Sequence, residues 1–82
     1  MKLYKLAPEE IKQLASRKGV RRIAVEDFLL TVTNNEDYVT AYANLALDRR
    51  LYNWNSATVK AIAIGIELAC DRKQDLKNIE KK

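Results

Sequence analysis

Gly19 lies between two segments whose apolar residues have helical spacing, and this arrangement constrains the fold more than any other feature of the chain. Before it stand Ile11, Leu14 and Ala15, and after it stand Val20, Val25 and Phe28. Glycine readily adopts the positive φ that ends a helix and turns the chain. The small side chain of Ala15 leaves room for two helices to cross closely. Residues 11–28 are therefore predicted to form two helices joined by a tight turn.

Residues 11–30 resemble the helix-turn-helix domains that bind DNA, at the alanine, the turn glycine and the later apolar positions. The resemblance implies that the second helix enters the major groove with its N-terminal residues. It covers roughly a quarter of the chain. Lys18 departs from it, because the family usually has an apolar residue just before the turn glycine. The alternative is an ordinary glycine turn, since any small helical protein needs such turns and close alanine contacts.

Cations surround this first turn, and a second turn further along the chain offers more of them. The predicted contacts to groove and phosphate backbone are Arg17, Lys18, Arg21 and Arg22. Acidic Glu26 and Asp27 follow on the second helix and are expected to influence which bases are accepted. The second turn adds Arg49, Arg50, Asn55, Ser56 and Lys60. This second match is weaker, because Arg49 stands where the family has a small residue. The alternative for Asn55 and Ser56 is that they only cap the last helix.

Charge is distributed unevenly along the chain, whose formal net charge is +4. Residues 1–22 carry seven basic and two acidic side chains. Residues 23–48 carry no basic and five acidic side chains, and residues 49–82 carry eight basic and four acidic ones. This distribution predicts a dipolar surface with one side suited to a polyanion. The alternative is that the lysines only keep a small domain soluble.

The pattern of the whole chain predicts an all-α fold, a compact bundle of four or five short helices in a single domain spanning residues 1–82. The predicted helices cover about residues 8–18, 21–33, 36–52 and 56 onward. The third has the broadest apolar face, which is typical of a central helix. Residues 71–82 either extend the last helix or fray into a basic tail.

Several apolar residues are candidates for partner contacts. Trp54 lies in the second turn and is predicted to be exposed, while Ile64 and Leu68 lie off the main apolar stripe of the last helix. They predict a partner surface, with homodimerisation through the last helix as one use of it. Tyrosines at positions 4, 38, 42 and 52 either stack on unpaired bases or pack half-buried, as tyrosines at helical spacing more often do.

Composition argues against catalysis, cofactors and metals. The chain has no histidine, one cysteine (Cys70) and two glycines, so it lacks the usual proton shuttle, a thiolate metal cluster and a glycine-rich phosphate loop. No apolar run approaches the roughly twenty residues of a membrane span. We expect a cytoplasmic, non-enzymatic protein.

Two functions of different class follow from these features. The first is a small DNA-binding transcriptional regulator that acts as a dimer on double-stranded DNA, with RNA as a second polyanion. The second is a helical adaptor or inhibitor that binds an acidic protein partner.

Overall fold

The computed structural model describes the backbone of residues 2–80 and the side chains of residues 2–70. Residues 2–80 contain four helices: α1 (Pro8–Ala15), α2 (Arg22–Asn35), α3 (Tyr38–Tyr52) and α4 (Ser56–Glu80). Between residues 2 and 80 the extended structure consists of one isolated bridge, which joins Lys2 to Asp37. The all-α bundle predicted from the sequence is confirmed. For residues 71–82 the predicted alternatives are an extended helix or a frayed tail, and the backbone of α4 continues as a helix to Glu80, while residues 81 and 82 lie outside the described part of the chain.

Helix α4 is the centre of the bundle. Helices α1, α2 and α3 each pack against it, and its inward side chains, Ala61, Ile62, Ile66 and Ala69, are at most 1% exposed. The N-terminal arm also packs there, because Leu3 and Leu6 are buried and the amide of Tyr4 donates to the carbonyl of Ala69 at 3.2 Å. Continuous burial along α4 therefore organises the core.

The prediction that the third helix is central is wrong. Only Ala41 and Leu45 of α3 are buried, whereas Val39, Leu47 and Leu51 are exposed. The apolar residues of α3 are spread around the helix, so a single contact with α4 can bury only part of them.

Local hydrogen bonds set the helix ends and explain where they differ from prediction. Helix α1 ends at Ala15 rather than Lys18, because the hydroxyl of Ser16 donates to the carbonyl of Gln13 at 3.0 Å and the turn begins there. Helix α2 continues to Asn35, two residues beyond Thr33, since the side-chain Nδ2 atoms of Asn34 and Asn35 donate back to carbonyls of the preceding turn.

Helix α3 begins after Asp37, and helix α1 begins at Pro8. The carboxylate of Asp37 accepts from the amide of Thr40 at 2.7 Å, so the predicted start at Glu36 is displaced. This bond lowers the pKa of Asp37. At α1, the carboxylate of Glu10 accepts from the amide of Ala7 at 3.0 Å.

Small residues on α4 bring α2 close to it. Leu29 of α2 and Leu14 of α1 pack directly over Gly65, where an added Cβ would lie 2.6 Å from Leu29 Cδ1. Gly65 follows Ala57 and Ala61 at intervals of four residues along α4, and at Gly65 this line of small residues packs into the core.

Candidate nucleic-acid interface

Two turns that are distant in sequence lie against each other at the N-terminal end of α4. The first turn (residues 16–21) and the second turn (residues 53–55) are joined by a hydrogen bond of 2.8 Å from Asn55 Nδ2 to the Gly19 carbonyl. The amide of Arg21 donates to Thr58 Oγ1 at 3.0 Å. Gly19 has φ +82°, and a Cβ built there would lie 3.6 Å from Ala57 Cβ. These contacts fix the position of the first turn relative to α4.

Asn55 uses both ends of its amide to hold this junction. Its Oδ1 accepts from the amide of Thr58 at 2.9 Å, which caps α4, while its Nδ2 bonds to Gly19. The capping alternative therefore applies to Asn55, although its side chain remains exposed. Ser56 is the first residue of α4 and is also exposed.

The nine residues predicted to contact nucleic acid are all exposed. They surround the two turns, and we call the surface that they form the junction surface. Its residues are Arg17, Lys18, Arg21, Arg22, Arg49, Arg50, Asn55, Ser56 and Lys60. Arg49 and Arg50 lie in the last turn of α3, which ends at the second turn. Lys60 follows Ser56 by one turn of α4, on the same side of the helix. The fold thus brings both predicted basic clusters to one end of the bundle.

These cations are largely uncompensated. Among the side chains of residues 2–70, the one salt bridge joins Arg22 Nε to Glu26 Oε1 at 3.5 Å. Arg21 Nη1 donates at 3.4 Å to the carbonyl of Tyr52, which carries no formal charge. The junction surface therefore presents a concentrated positive potential to solvent.

The start of α2 adds free backbone donors to the same surface. Arg21 is the N-cap residue of α2, and its side chain makes no capping hydrogen bond. None of the side chains of residues 2–70 accepts a hydrogen bond from the first amides of α2, and the positive end of the helix dipole lies beside Arg22. Such helix ends favour phosphate groups.

The prediction that Trp54 is exposed is wrong. Trp54 is 8% exposed and packs edge-to-face against Phe28, with ring centroids 5.9 Å apart. Tyr52 stacks on its other side at 5.8 Å. Asn53, in the left-handed conformation with φ 52°, ends α3 and allows the chain to turn at this point.

Ile64 and Leu68 are half-buried and pack against the core of their own chain. A contact of Ile64 and Leu68 with a partner stays a prediction. Tyr38 and Tyr42 pack on each other at 4.9 Å, and burial raises the pKa of Tyr42. Of the tyrosines, Tyr52 alone is exposed, at 59%.

A groove that the sequence analysis missed runs between α2 and α3, and we call it the α2–α3 groove. It has a volume of about 1010 Å³, and both of its walls pack on α4 while barely touching each other. Its lining combines apolar side chains with the carboxylates of Asp27, Glu36 and Asp48, and Arg21 and Arg22 of the junction surface line one end. The purely acidic charge of residues 23–48 was the sequence signal for this surface.

Within residues 2–70 no group of three or more potential metal-ligating side chains lies together. None of the helices, over the part of the chain whose side chains are described, combines the length and apolar character needed to cross a membrane. Comparison with protein-family models, with curated proteins and with solved structures found no match.

Proposed function

We propose that this protein binds nucleic acid, in the first place double-stranded DNA, through the junction surface, and that it acts as a transcriptional regulator. The observation that carries the proposal is the convergence of two distant basic clusters on one end of the bundle, where Glu26 is the one carboxylate of residues 2–70 that pairs with them. Nothing in the core requires so many like charges in one place, and their mutual repulsion destabilises the folded state slightly. A polyanion removes that repulsion on binding.

The cations have different roles in this proposal. Arg21 and Arg22 stand at the exposed start of α2, where side chains can reach base edges in a major groove. The pair between Arg22 and Glu26 is solvent-exposed on the arginine side and contributes about 0–1 kcal/mol, so it opens easily in favour of a phosphate or guanine. The other junction cations contact phosphates: Arg17, Lys18, Arg49, Arg50 and Lys60.

The aromatic residues favour a duplex over a single strand. Proteins that hold unpaired bases stack them on exposed aromatic rings. Here Trp54 is buried and Tyr38 and Tyr42 are packed on each other, which leaves Tyr52 as the one exposed ring beside the junction surface. One ring provides a poor stacking platform.

The test is binding of a fluorescently labelled 20-base-pair duplex, followed by anisotropy across a salt series. About five phosphate contacts predict that affinity falls by a hundredfold to a thousandfold between 50 and 200 mM salt. Arg17→Gln combined with Lys18→Gln removes two of these contacts and should reduce the steepness of the salt dependence by about two.

The matched control is Lys2→Gln combined with Lys5→Gln, which removes the same charge at the other end of the bundle. The arm that carries these lysines is hydrogen-bonded to Ala69. From the rise of an α-helix, Ala69 lies about 18 Å along α4 from Ala57, which packs at the junction. The control should bind nearly as well as the unmodified protein. Equal losses in both double variants would show attraction by net charge alone and would contradict the proposal.

Dimerisation through α4 stays a prediction. A second copy would supply a second set of junction cations and raise the affinity for a paired site. The mass of the complex, measured by sedimentation on a duplex long enough for two copies, distinguishes one bound protein from two.

A further inference from the structure

The floor of the α2–α3 groove is apolar. Ala24, Phe28 and Val32 lie along one face of α2, and Trp54 closes the end next to the junction surface. Ile23 and Tyr52 also line the groove and are 71% and 59% exposed. Large apolar side chains left in water at a groove are typical of a surface that contacts a partner.

Acidic side chains line the same groove. Asp27 on α2 and Asp48 on α3 line opposite walls, and neither forms a salt bridge with any described side chain. Glu36 lies at the end where the two helices meet, with Asn44 donating to its carboxylate at 2.7 Å. Residues 23–48, which form most of both walls, contain no basic residue, although the whole chain has a net charge of +4. Beyond Arg21 and Arg22, which line the end next to the junction surface, the charged side chains of the groove are therefore all acidic.

We propose that the α2–α3 groove binds an amphipathic helix of a protein partner, one with an apolar stripe flanked by lysine or arginine. The apolar stripe covers the floor, and the cations pair with Asp27 and Asp48 on the two walls. Helix α2 has 14 residues and is about 20 Å long, so the groove accommodates about four turns of such a helix.

The same charges argue against a nucleic acid as the occupant. It would bring phosphates against the carboxylates of Asp27 and Asp48. That arrangement is repulsive, whereas a cationic helix is attracted to these two side chains.

The experiment is selection from a displayed library of 16-residue helices with apolar residues at positions i, i+3, i+4 and i+7 and all other positions randomised. Enriched peptides are then synthesised, and their affinity for the protein is measured by anisotropy without nucleic acid. We expect enriched sequences to carry a net positive charge. Their affinity should fall about tenfold on Asp27→Lys or Asp48→Lys, because each change turns an attraction into a repulsion.

Controls are matched in charge and exposure. Glu9→Lys makes the same charge change on α1, outside the groove, and should leave affinity within about twofold of the unmodified protein. Ile23→Ser removes an exposed apolar contact and should weaken binding severalfold. Val39→Ser, at a residue that is likewise 71% exposed but does not line the groove, should have no effect.

Three outcomes would overturn the proposal: no enrichment above an empty scaffold, enrichment of neutral or acidic helices, or equal binding by the groove variants and their controls. A dimer of the unmodified protein that Ile23→Ser dissociates would assign the groove to a second copy instead. None of these outcomes depends on the ligand of the junction surface, because duplex binding is measured separately with the same variants.

Discussion

Replacing Gly65 with alanine tests how closely α2 and α4 are packed. The new Cβ would lie 2.6 Å from Leu29 Cδ1, 2.7 Å from Leu29 Cδ2 and 3.1 Å from Leu14 Cδ1. Carbon atoms in favourable contact are about 3.5–4.0 Å apart, so the end of Leu29 must move by about 1 Å. Leu29 is 0% exposed, and its movement therefore displaces other core side chains.

Two opposing effects decide the result. Alanine is favoured over glycine in a helix interior by about 1 kcal/mol. Forcing an extra methyl group into a packed core costs about 1–3 kcal/mol, and contacts with two buried leucines place this site near the middle of that range. The expected net effect is a loss of about 1 kcal/mol in the free energy of unfolding. In a domain of this size it lowers Tm by about 4–8 °C.

A double-mutant cycle with Leu29→Val separates the two effects. Valine has no Cδ atoms, so both short contacts disappear in that background. Gly65→Ala should there raise the free energy of unfolding by up to about 1 kcal/mol, which reverses the sign seen in the unmodified protein. Thermal and urea unfolding followed by circular dichroism measure all four variants. Stabilisation by Gly65→Ala alone, or the same change in both backgrounds, would refute the argument from close packing.

Three further predictions concern the junction and the core. Arg21→Ala with Arg22→Ala should abolish duplex binding while leaving Tm nearly unchanged, since Arg21 reaches Thr58 through its backbone amide; binding at full strength would reject the proposed contacts. Asn55→Ala should lower the free energy of unfolding by about 1–2 kcal/mol through loss of the α4 cap, and it should also weaken duplex binding through loss of the bond to Gly19. Urea unfolding measures the first effect and anisotropy the second, and an unchanged value of either quantity would contradict the prediction. Burial raises the pKa of Tyr42, so the folded protein keeps this proton at a pH where the unfolded chain loses it. Its contribution to stability is present below pH 10 and declines above it. Urea unfolding at a series of pH values should show that the free energy of unfolding falls less steeply above pH 10 for Tyr42→Phe than for the unmodified protein.

Features set by local chemistry were predictable from the sequence. Proline at position 8 marks the start of α1, and Gly19 takes the positive φ expected of it. Asn55, one of the two residues expected to cap α4, does so through Thr58. Each of these features depends on residues within about four positions, which is the range over which capping and turn rules apply.

Features that depend on distant contacts were not predictable in this way. The bond from Asn55 to Gly19 joins residues 36 positions apart, and nothing in either turn alone indicates it. The burial of Trp54 requires Phe28 on a different helix. The α2–α3 groove exists because both helices pack on α4 and leave space between them, and no periodicity in one helix can predict such a space.

Helix α2 belongs to both proposed surfaces, and its charges couple them. Arg22 at its start is part of the junction surface and also lines the end of the groove, while Asp27 lines the groove five residues later, about 7.5 Å along the helix axis. That separation is shorter than the Debye length of about 10 Å at 0.1 M salt, so the carboxylate opposes a phosphate held at the junction. A cationic helix in the groove neutralises this carboxylate and thereby favours duplex binding. Because coupling between binding sites is reciprocal, a bound duplex favours the cationic helix by the same factor. The charge order along α2 therefore predicts that the two ligands bind cooperatively.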